Sequence, residues 1–283
     1  MHNSGRHIQQ ELEGLYSMPE ISVLTQLIFK EVCGNSFIGM TTDKISHLSG
    51  PQRRKTEDIV RRLKTGEPIQ YILGKTEFYG LPFIVTPDVL IPRPETEELV
   101  EWALSGSRKT NCSVLDIGTG SGCIAVTLAK KMNKADVYAW DISEGALEVA
   151  SENARLNGVS VHFLVHDIFQ PVEDNPVFDV IVSNPPYVTE SEKVDMEVNV
   201  LDFEPHVALF VADDNALLFY ERIADIALVM LNDRGELYFE INREKGSEIC
   251  NMLRDKGFES VELKKDISGN ERIVRAVKPE SHG

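Results

Sequence analysis

Ser113-Val114-Leu115-Asp116-Ile117-Gly118-Thr119-Gly120-Ser121-Gly122 sets the architecture expected of this chain. The first five residues are a short apolar run with the character of a buried strand. A glycine loop follows, and then an amphipathic run from Cys123 to Lys131. Strand, glycine loop and helix in that order open a nucleotide-binding α/β unit. A strict dinucleotide fingerprint wants its third glycine at position 123, where this chain has Cys123, so the spacing argues against NAD. The next strand, Ala135 to Trp140, ends in Asp141, about twenty residues beyond the loop, where a carboxylate can accept both ribose hydroxyls of an adenosine. A third strand, Val161 to Val165, ends at His166-Asp167-Ile168-Phe169. There Asp167 can accept from an adenine amino group and Ile168 can pack on the ring. Each acid read alone is also a plausible helix cap, but three successive strands ending in a suitable group favour adenosine binding.

A fourth apolar, β-branched run, Phe178 to Ser183, leads into Asn184-Pro185-Pro186-Tyr187. In open α/β sheets the carboxyl edge of the strands is where ligands bind. Two prolines leave the backbone little freedom, and Pro186 biases Pro185 toward extended geometry, so the loop is stiff before any substrate arrives. The Asn184 amide oxygen and a proline carbonyl are acceptors for both hydrogens of a planar NH2 group, with Tyr187 as a flat face beside it. The tetrapeptide reads as a grip for an amide or amino nitrogen; the plainer alternative is a proline-rich turn with a capping Asn.

The remainder bounds the class of protein. At 283 residues, 42% hydrophobic and 26% charged, the chain has room for one large α/β domain and a small one. Lys and Arg number 29 against 45 Asp and Glu, a formal net charge of −16 that disfavours long-range attraction to a nucleic-acid backbone. Cys33, Cys112, Cys123 and Cys250 form no Cys-x-x-Cys pair, so neither a disulfide framework nor a zinc site is expected and a reducing compartment is the default. Glu11, Glu13 and Glu20 rule against a secretory signal in the first thirty residues, and no run approaches the roughly eighteen apolar residues of a membrane span. His162 and His166 sit in a strand-like run that separates them by about 13 Å, so no metal is expected.

Toward the amino terminus, Ile21, Leu24, Leu27, Ile28 and Val32 form a helical stripe after Pro19, and Ile59, Val60 and Leu63 form another between Thr56 and Lys64. Arg53, Arg54, Lys55, Arg61, Arg62 and Lys64 surround the second stripe. They read either as a solvated face or as a docking surface for an acidic or nucleic-acid-containing partner. With breaks at Gly34 to Gly39 and at Ser49-Gly50-Pro51, the first seventy or so residues read as a small helical bundle. Thr76 to Tyr79 and Pro82 to Val85 suggest a hairpin joining two domains. Gly74-Lys75-Thr76 is no phosphate loop, because the required upstream glycine position is Ile69. Ile91-Pro92-Arg93-Pro94 enters a helix with Glu95, Glu97 and Glu98 in its first turn, as the helix dipole favours. Further on, helices are expected around Ala216 to Leu231 and Gly246 to Lys256. Strands are expected at Glu236 to Glu240, Ser260 to Lys264 and Arg272 to Val277, the last two as an antiparallel edge.

Asp116 to Gly122, Asp141 and Asn184 to Tyr187 resemble the signatures of class I S-adenosylmethionine-dependent methyltransferases that modify planar nitrogens. Within that class, Pro68-Ile69-Gln70-Tyr71-Ile72-Leu73-Gly74, Glu77-Phe78-Tyr79-Gly80-Leu81, Ile91-Pro92-Arg93-Pro94-Glu95-Thr96-Glu97, Phe203-Glu204-Pro205 and Asp266-Ile267-Ser268-Gly269-Asn270-Glu271-Arg272 resemble the PrmC/HemK family of release factor glutamine N5-methyltransferases. The likeness runs from about Glu67 to Val277. The family commonly has an aromatic where this chain has Ile168, and often Gly or His where it has Asn242.

The resemblance implies a mostly parallel Rossmann-like sheet with an antiparallel edge, preceded by an all-α bundle. Residues 1–73 would be the substrate-recognition domain, 74–90 a hairpin linker and 91–283 the methyltransferase domain. It implies S-adenosyl-L-methionine held by Arg93, Asp116, Gly118, Thr119, Gly120, Ser121, Gly122, Asp141, Asp167, Ile168 and Asn184. The acceptor implied is the Gln of a Gly-Gly-Gln loop in class 1 release factors, gripped by Asn184, Pro185, Pro186 and Tyr187, in a cytoplasmic monomer with no DNA substrate. The alternatives are an N6-adenine DNA or RNA methyltransferase, a sister glutamine methyltransferase acting on a ribosomal protein, and a non-catalytic adenosine-binding module.

Overall fold

The computed structural model describes residues 4–34, 48–106, 110–171 and 176–280; Gly39 lies outside them. The chain divides into two compact units, Met1–Gly74 with Glu197–Phe203, and Lys75–Met196 with Glu204–Gly283.

The first unit contains α1 (Ser4–Leu12), α2 (Met18–Cys33), α3 (Gly50–Leu63) and α4 (Ile69–Leu73), with α8 (Val198–Phe203) contributed from later in the chain. Its helix starts are written in the sequence. Glu20 accepts from the Ser17 amide at 2.8 Å and Gln52 from the Ser49 amide at 2.9 Å, each relieving one of the unpaired donors at a helix amino end. The predicted stripes bury Ile21, Leu24 and Ile28 against Ile59, Val60 and Leu63, with Ile8 and Leu12 of α1 completing the core. Around α3, Lys55 pairs with Glu31, Arg61 with Asp58, Arg62 with Glu67 and Lys64 with Glu11. Four of the six basic side chains are thus neutralised by neighbouring acids, which favours the solvated face over a basic docking surface.

The second unit is a three-layer α/β sandwich. It opens with a hairpin of β1 (Lys75–Phe78) and β2 (Leu81–Ile84). Tyr79 and Gly80 both have positive φ, 52° and 71°, the geometry of a two-residue turn that follows strand twist. Rather than a linker, the hairpin is part of this unit's core, since Phe78 and Phe83 are fully buried beside Val100, Val114 and Ile124. The order then runs α5 (Pro94–Gly106), β3 (Ser113–Ile117), α6 (Cys123–Lys131), β4 (Asp136–Asp141), α7 (Glu144–Asn157), β5 (His162–Val165) and β6 (Phe178–Ser183). Short β7 (Val188–Thr189) and β8 (Phe210–Val211) pair with each other, and α9 (Leu218–Met230), β9 (Leu231–Glu240), α10 (Gly246–Asp255), β10 (Glu259–Lys265) and β11 (Glu271–Val277) complete the unit.

Seven strands form one sheet in the order β10-β11-β9-β6-β3-β4-β5. The five from β9 to β5 are parallel, and β11 and β10 add the expected antiparallel edge. Leu115, Ile117, Ile181 and Phe239 face α9 and α10, while Val114, Val180, Val182 and Tyr238 face α5 and α6. Burial on both faces explains why the central strands read as unbroken apolar runs. The chain leaves β3 toward β4 and β5 on one side and returns to β6 on the other, so the sheet's topological switch point lies between β3 and β6. A crevice opens there beyond the carboxyl ends of the strands.

Candidate functional site

The carboxyl ends of β3 to β6 enclose a cavity of about 310 Å³, at the lower end of the range for small-molecule sites. Gly118 to Ser121, Trp140 to Ser143, His166 to Phe169 and Ser183 to Pro186 line it. Asp88 to Arg93, Thr96, Ile117, Cys123, Ile124, Ala146, Val207, Ala208, Phe219 and Ile223 close the rest. All four strand ends singled out in the sequence therefore meet at one place.

The glycine loop is held from below and from the side. Gly118, Gly120 and Gly122 have φ of 73°, 53° and 77°, a region that side chains disfavour. The Gly118 and Thr119 amides donate to the Trp140 carbonyl at 2.9 and 3.0 Å, and the Gly120 amide donates to Asp141 Oδ2 at 2.8 Å. Asp141 Oδ1 accepts from the Ser143 amide at 2.9 Å. Burial pushes the Asp141 carboxyl up, against the pull of these amides. Each oxygen of a carboxylate retains a second lone pair, so Asp141 stays competent toward a pair of hydroxyls.

Asp116 corrects the sequence reading, because it is fully buried and does not line the cavity. Its Oδ2 accepts from Thr119 Oγ1 at 2.6 Å and from the Ala125 amide at 3.2 Å, tying loop to helix; Oδ1 is buried without a hydrogen-bond partner. Burial pushes its pKa up to about 7 despite those two donors. Gly122 is also outside the lining; a Cβ there would meet Ala150 Cβ of α7 at 3.0 Å, so this glycine serves close approach of the loop to α7. Fully buried Asn153, which the sequence did not single out, bridges the same region. Its Oδ1 accepts from the Ile84 amide at 2.6 Å and its Nδ2 donates to the Ile84 and Ser121 carbonyls, each at 2.9 Å.

On the opposite wall, Asp167 Oδ1 accepts from the Phe169 amide at 2.9 Å, and no donor among the described residues meets Oδ2. Ile168 borders the cavity, and its carbonyl accepts from Arg222 Nε at 2.6 Å, which fixes the segment. His166 packs against Trp140 at 4.7 Å between ring centres; burial lowers its pKa. Arg93 lines the cavity, but its guanidinium donates to Glu204 Oε1 at 2.6 Å, while Oε2 accepts from the Ile91 amide at 3.2 Å. Arg93 is thus the clasp of the strap from Ile91 to Pro94 rather than a free cation.

Asn184, Pro185 and Pro186 line the cavity where β6 ends. Asn184 Nδ2 donates to Thr96 Oγ1 at 3.4 Å, and among the described residues no donor meets its Oδ1. Tyr187 is a second correction. It is turned out of the lining into the core around α9, where its hydroxyl donates to Glu240 Oε1 at 3.2 Å. Asn242 braces this loop by donating to the Tyr187 carbonyl at 3.3 Å and to Glu192. Glu240, 1% exposed at the end of β9, also accepts from Thr96 Oγ1 at 2.6 Å. Neither Thr96 nor Glu240 stands out in the sequence as a site residue. The available signal was an acid closing an apolar strand, the same signal that exposed Asp141.

The family described as Methyltransferase small domain matches residues 99–202, and the PrmC N-terminal domain family matches residues 6–74. A crystal structure of a methyltransferase from Pyrococcus furiosus superposes with a TM-score of 0.54 at 19% identity, covering 79% of this chain and all of that one. Sheet order, glycine loop and fold neighbour together define the class I methyltransferase fold. A release factor glutamine methyltransferase from Flavobacterium psychrophilum is 44% identical over 270 residues, 94% of this chain and 95% of that protein. One from Bacteroides thetaiotaomicron is 44% identical over 271 residues, 95% of this chain and 97% of that protein. The chain belongs to the release factor glutamine methyltransferase family.

Proposed function

We propose that this enzyme transfers a methyl group from S-adenosyl-L-methionine to the side-chain N5 nitrogen of the Gln in the Gly-Gly-Gln motif of class 1 peptide chain release factors. The observation that carries this reading is the unengaged Asn184 Oδ1 beside Pro185, on the wall of a cavity that also holds Asp141 and Asp167. The cavity fits an adenosine-bearing cofactor: Asp141 would take the ribose hydroxyls, the unmet Oδ2 of Asp167 the adenine amino group, and Ile168 the ring face. When bound, the cofactor supplies an electrophilic methyl, so no nucleophilic side chain is required.

A glutamine amide is a poor nucleophile because its lone pair is delocalised into the carbonyl. Asn184 Oδ1 and the Pro185 carbonyl would accept the two N–H bonds, fix the amide plane and stabilise positive charge as it builds on nitrogen. The nitrogen then sheds one proton to water. Tyr187 contributes by bracing the loop through Glu240 rather than by stacking on the substrate amide. We read the protein as a cytoplasmic monomer; among the described residues no helix is long and apolar enough to cross a membrane.

The test is incubation with methyl-labelled S-adenosylmethionine and, separately, a class 1 release factor, the same factor with its loop Gln replaced, and unmethylated DNA. Label on the intact factor alone is expected. Label on DNA, or equal label on the altered factor, overturns the glutamine reading.

A further inference from the structure

We propose that Thr96 and Glu240 are positioning residues that decide which end of the Asn184 amide faces the acceptor, an inference that rests on Asn184 being the amide grip. An Asn side chain is nearly symmetric in shape, and turning it over exchanges its oxygen for its NH2. With NH2 turned to the cavity, donor would meet donor and the glutamine nitrogen would be repelled. The loop prolines stiffen the backbone but cannot choose between the two orientations.

The choice is made two residues away. Glu240 lies at the end of β9 and Thr96 in the first turn of α5, 1% and 3% exposed. Thr96 Oγ1 lies 2.6 Å from Glu240 Oε2, and the Tyr187 hydroxyl lies 3.2 Å from Oε1. Both Glu240 oxygens accept, one from Thr96 and one from Tyr187, as an ionised carboxylate does, so the single hydroxyl proton of Thr96 is committed to Glu240. Thr96 can then offer Asn184 only a lone pair, and the amide end that meets a lone pair is Nδ2, as found at 3.4 Å. Oδ1 is left as the free acceptor. Tyr187, which carries the other end of the loop, is bound to the same carboxylate, so one buried acid sets both the amide orientation and the seat of the tetrapeptide.

Single-turnover methyl transfer to a release factor, with cofactor affinity measured by calorimetry, tests this in Thr96→Val, Thr96→Ser, Glu240→Gln, Asn184→Ala and the double variant Asn184→Ala/Thr96→Val. Valine keeps the shape of threonine and removes both hydrogen bonds, so the rate should fall by about 10-fold to 100-fold while cofactor Kd stays within about 2-fold. Serine should restore the rate. Glu240→Gln can offer Thr96 a donor or an acceptor and should fall in between. In the Asn184→Ala background the valine change should cost nothing further, because Thr96 acts through Asn184. A normal rate in Thr96→Val, or an equal loss with and without Asn184, overturns the positioning role while leaving the grip intact. A normal rate in Asn184→Ala overturns the grip and, with it, this inference.

Discussion

Gly122→Ala isolates what the last glycine of the loop does. Its φ of 77° places an alanine in the left-handed region, at a cost of about 1–2 kcal/mol. The new Cβ would also stand 3.0 Å from Ala150 Cβ and 3.2 Å from Ala150 Cα, against a normal carbon separation of about 3.5–4.0 Å. Neither neighbour can rotate away, because one is helix backbone and the other is attached directly to it. Overpacking of this kind costs about 1–3 kcal/mol, giving roughly 2–5 kcal/mol in all. Gly118→Ala is the internal control. With φ of 73° and nothing within 4 Å of its added Cβ, it carries the backbone cost alone. The gap of about 1–3 kcal/mol corresponds to roughly 2–12 °C in Tm for a domain of this size. Calorimetric unfolding of the two cofactor-free variants reads it directly. Equal Tm values would show that α7 yields to the methyl and that close loop-to-helix approach is not what Gly122 provides.

The cofactor reading makes Asp141→Ala lose two charge-assisted hydrogen bonds at about 1.5–3 kcal/mol each, so S-adenosylmethionine Kd should rise about 100-fold or more by calorimetry; a change under about 3-fold refutes the ribose assignment. Asp116 predicts a pH dependence of stability. Burial holds its folded pKa near 7, above the 3.8 of an exposed carboxyl, so its protonated form is the one the fold favours and the wild type loses stability as pH rises from about 4 through 7. Asp116→Asn does not titrate, and its Tm relative to wild type should climb between pH 5 and pH 8; a constant gap places the proton elsewhere.

Much of this molecule is legible from local pattern. Apolar runs on the central strands, the stripe of α2 and the glycine loop each follow from short-range physics, and the structure places them within a few residues of where the sequence does; α3 instead starts at Gly50, ahead of the expected Thr56, because Ser49 and Gln52 cap it there. The strand-end rule brought Asp141, Asp167 and Asn184 to one cavity because, in a parallel sheet, residues that close successive strands share an edge. Asp116 and Tyr187 lie outside the reach of that rule. Both sit in motifs, but a motif does not say which way a side chain turns. Asp116 points beneath its own loop, and Tyr187 lies past the second proline, where the chain turns back toward β9. Arg93 was legible as a residue between two prolines at the head of a helix, not as the partner of Glu204, 111 residues away.

The sequence by itself determined the α/β class, the place of the glycine loop, the stiffness of Asn184-Pro185-Pro186-Tyr187 and the set of acids at the strand ends. These depend on side-chain periodicity and on the fixed φ of proline, which act over a few residues. Only the tertiary structure decided the hydrogen-bond polarity of the site. Thr96, Glu240 and the loop that carries both Asn184 and Tyr187 come from three separate segments, and the sheet order alone brings β6 and β9 side by side beneath the first turn of α5. Whether an amide oxygen is free depends on which proton each neighbour has already committed, and that is settled only when all four are packed together.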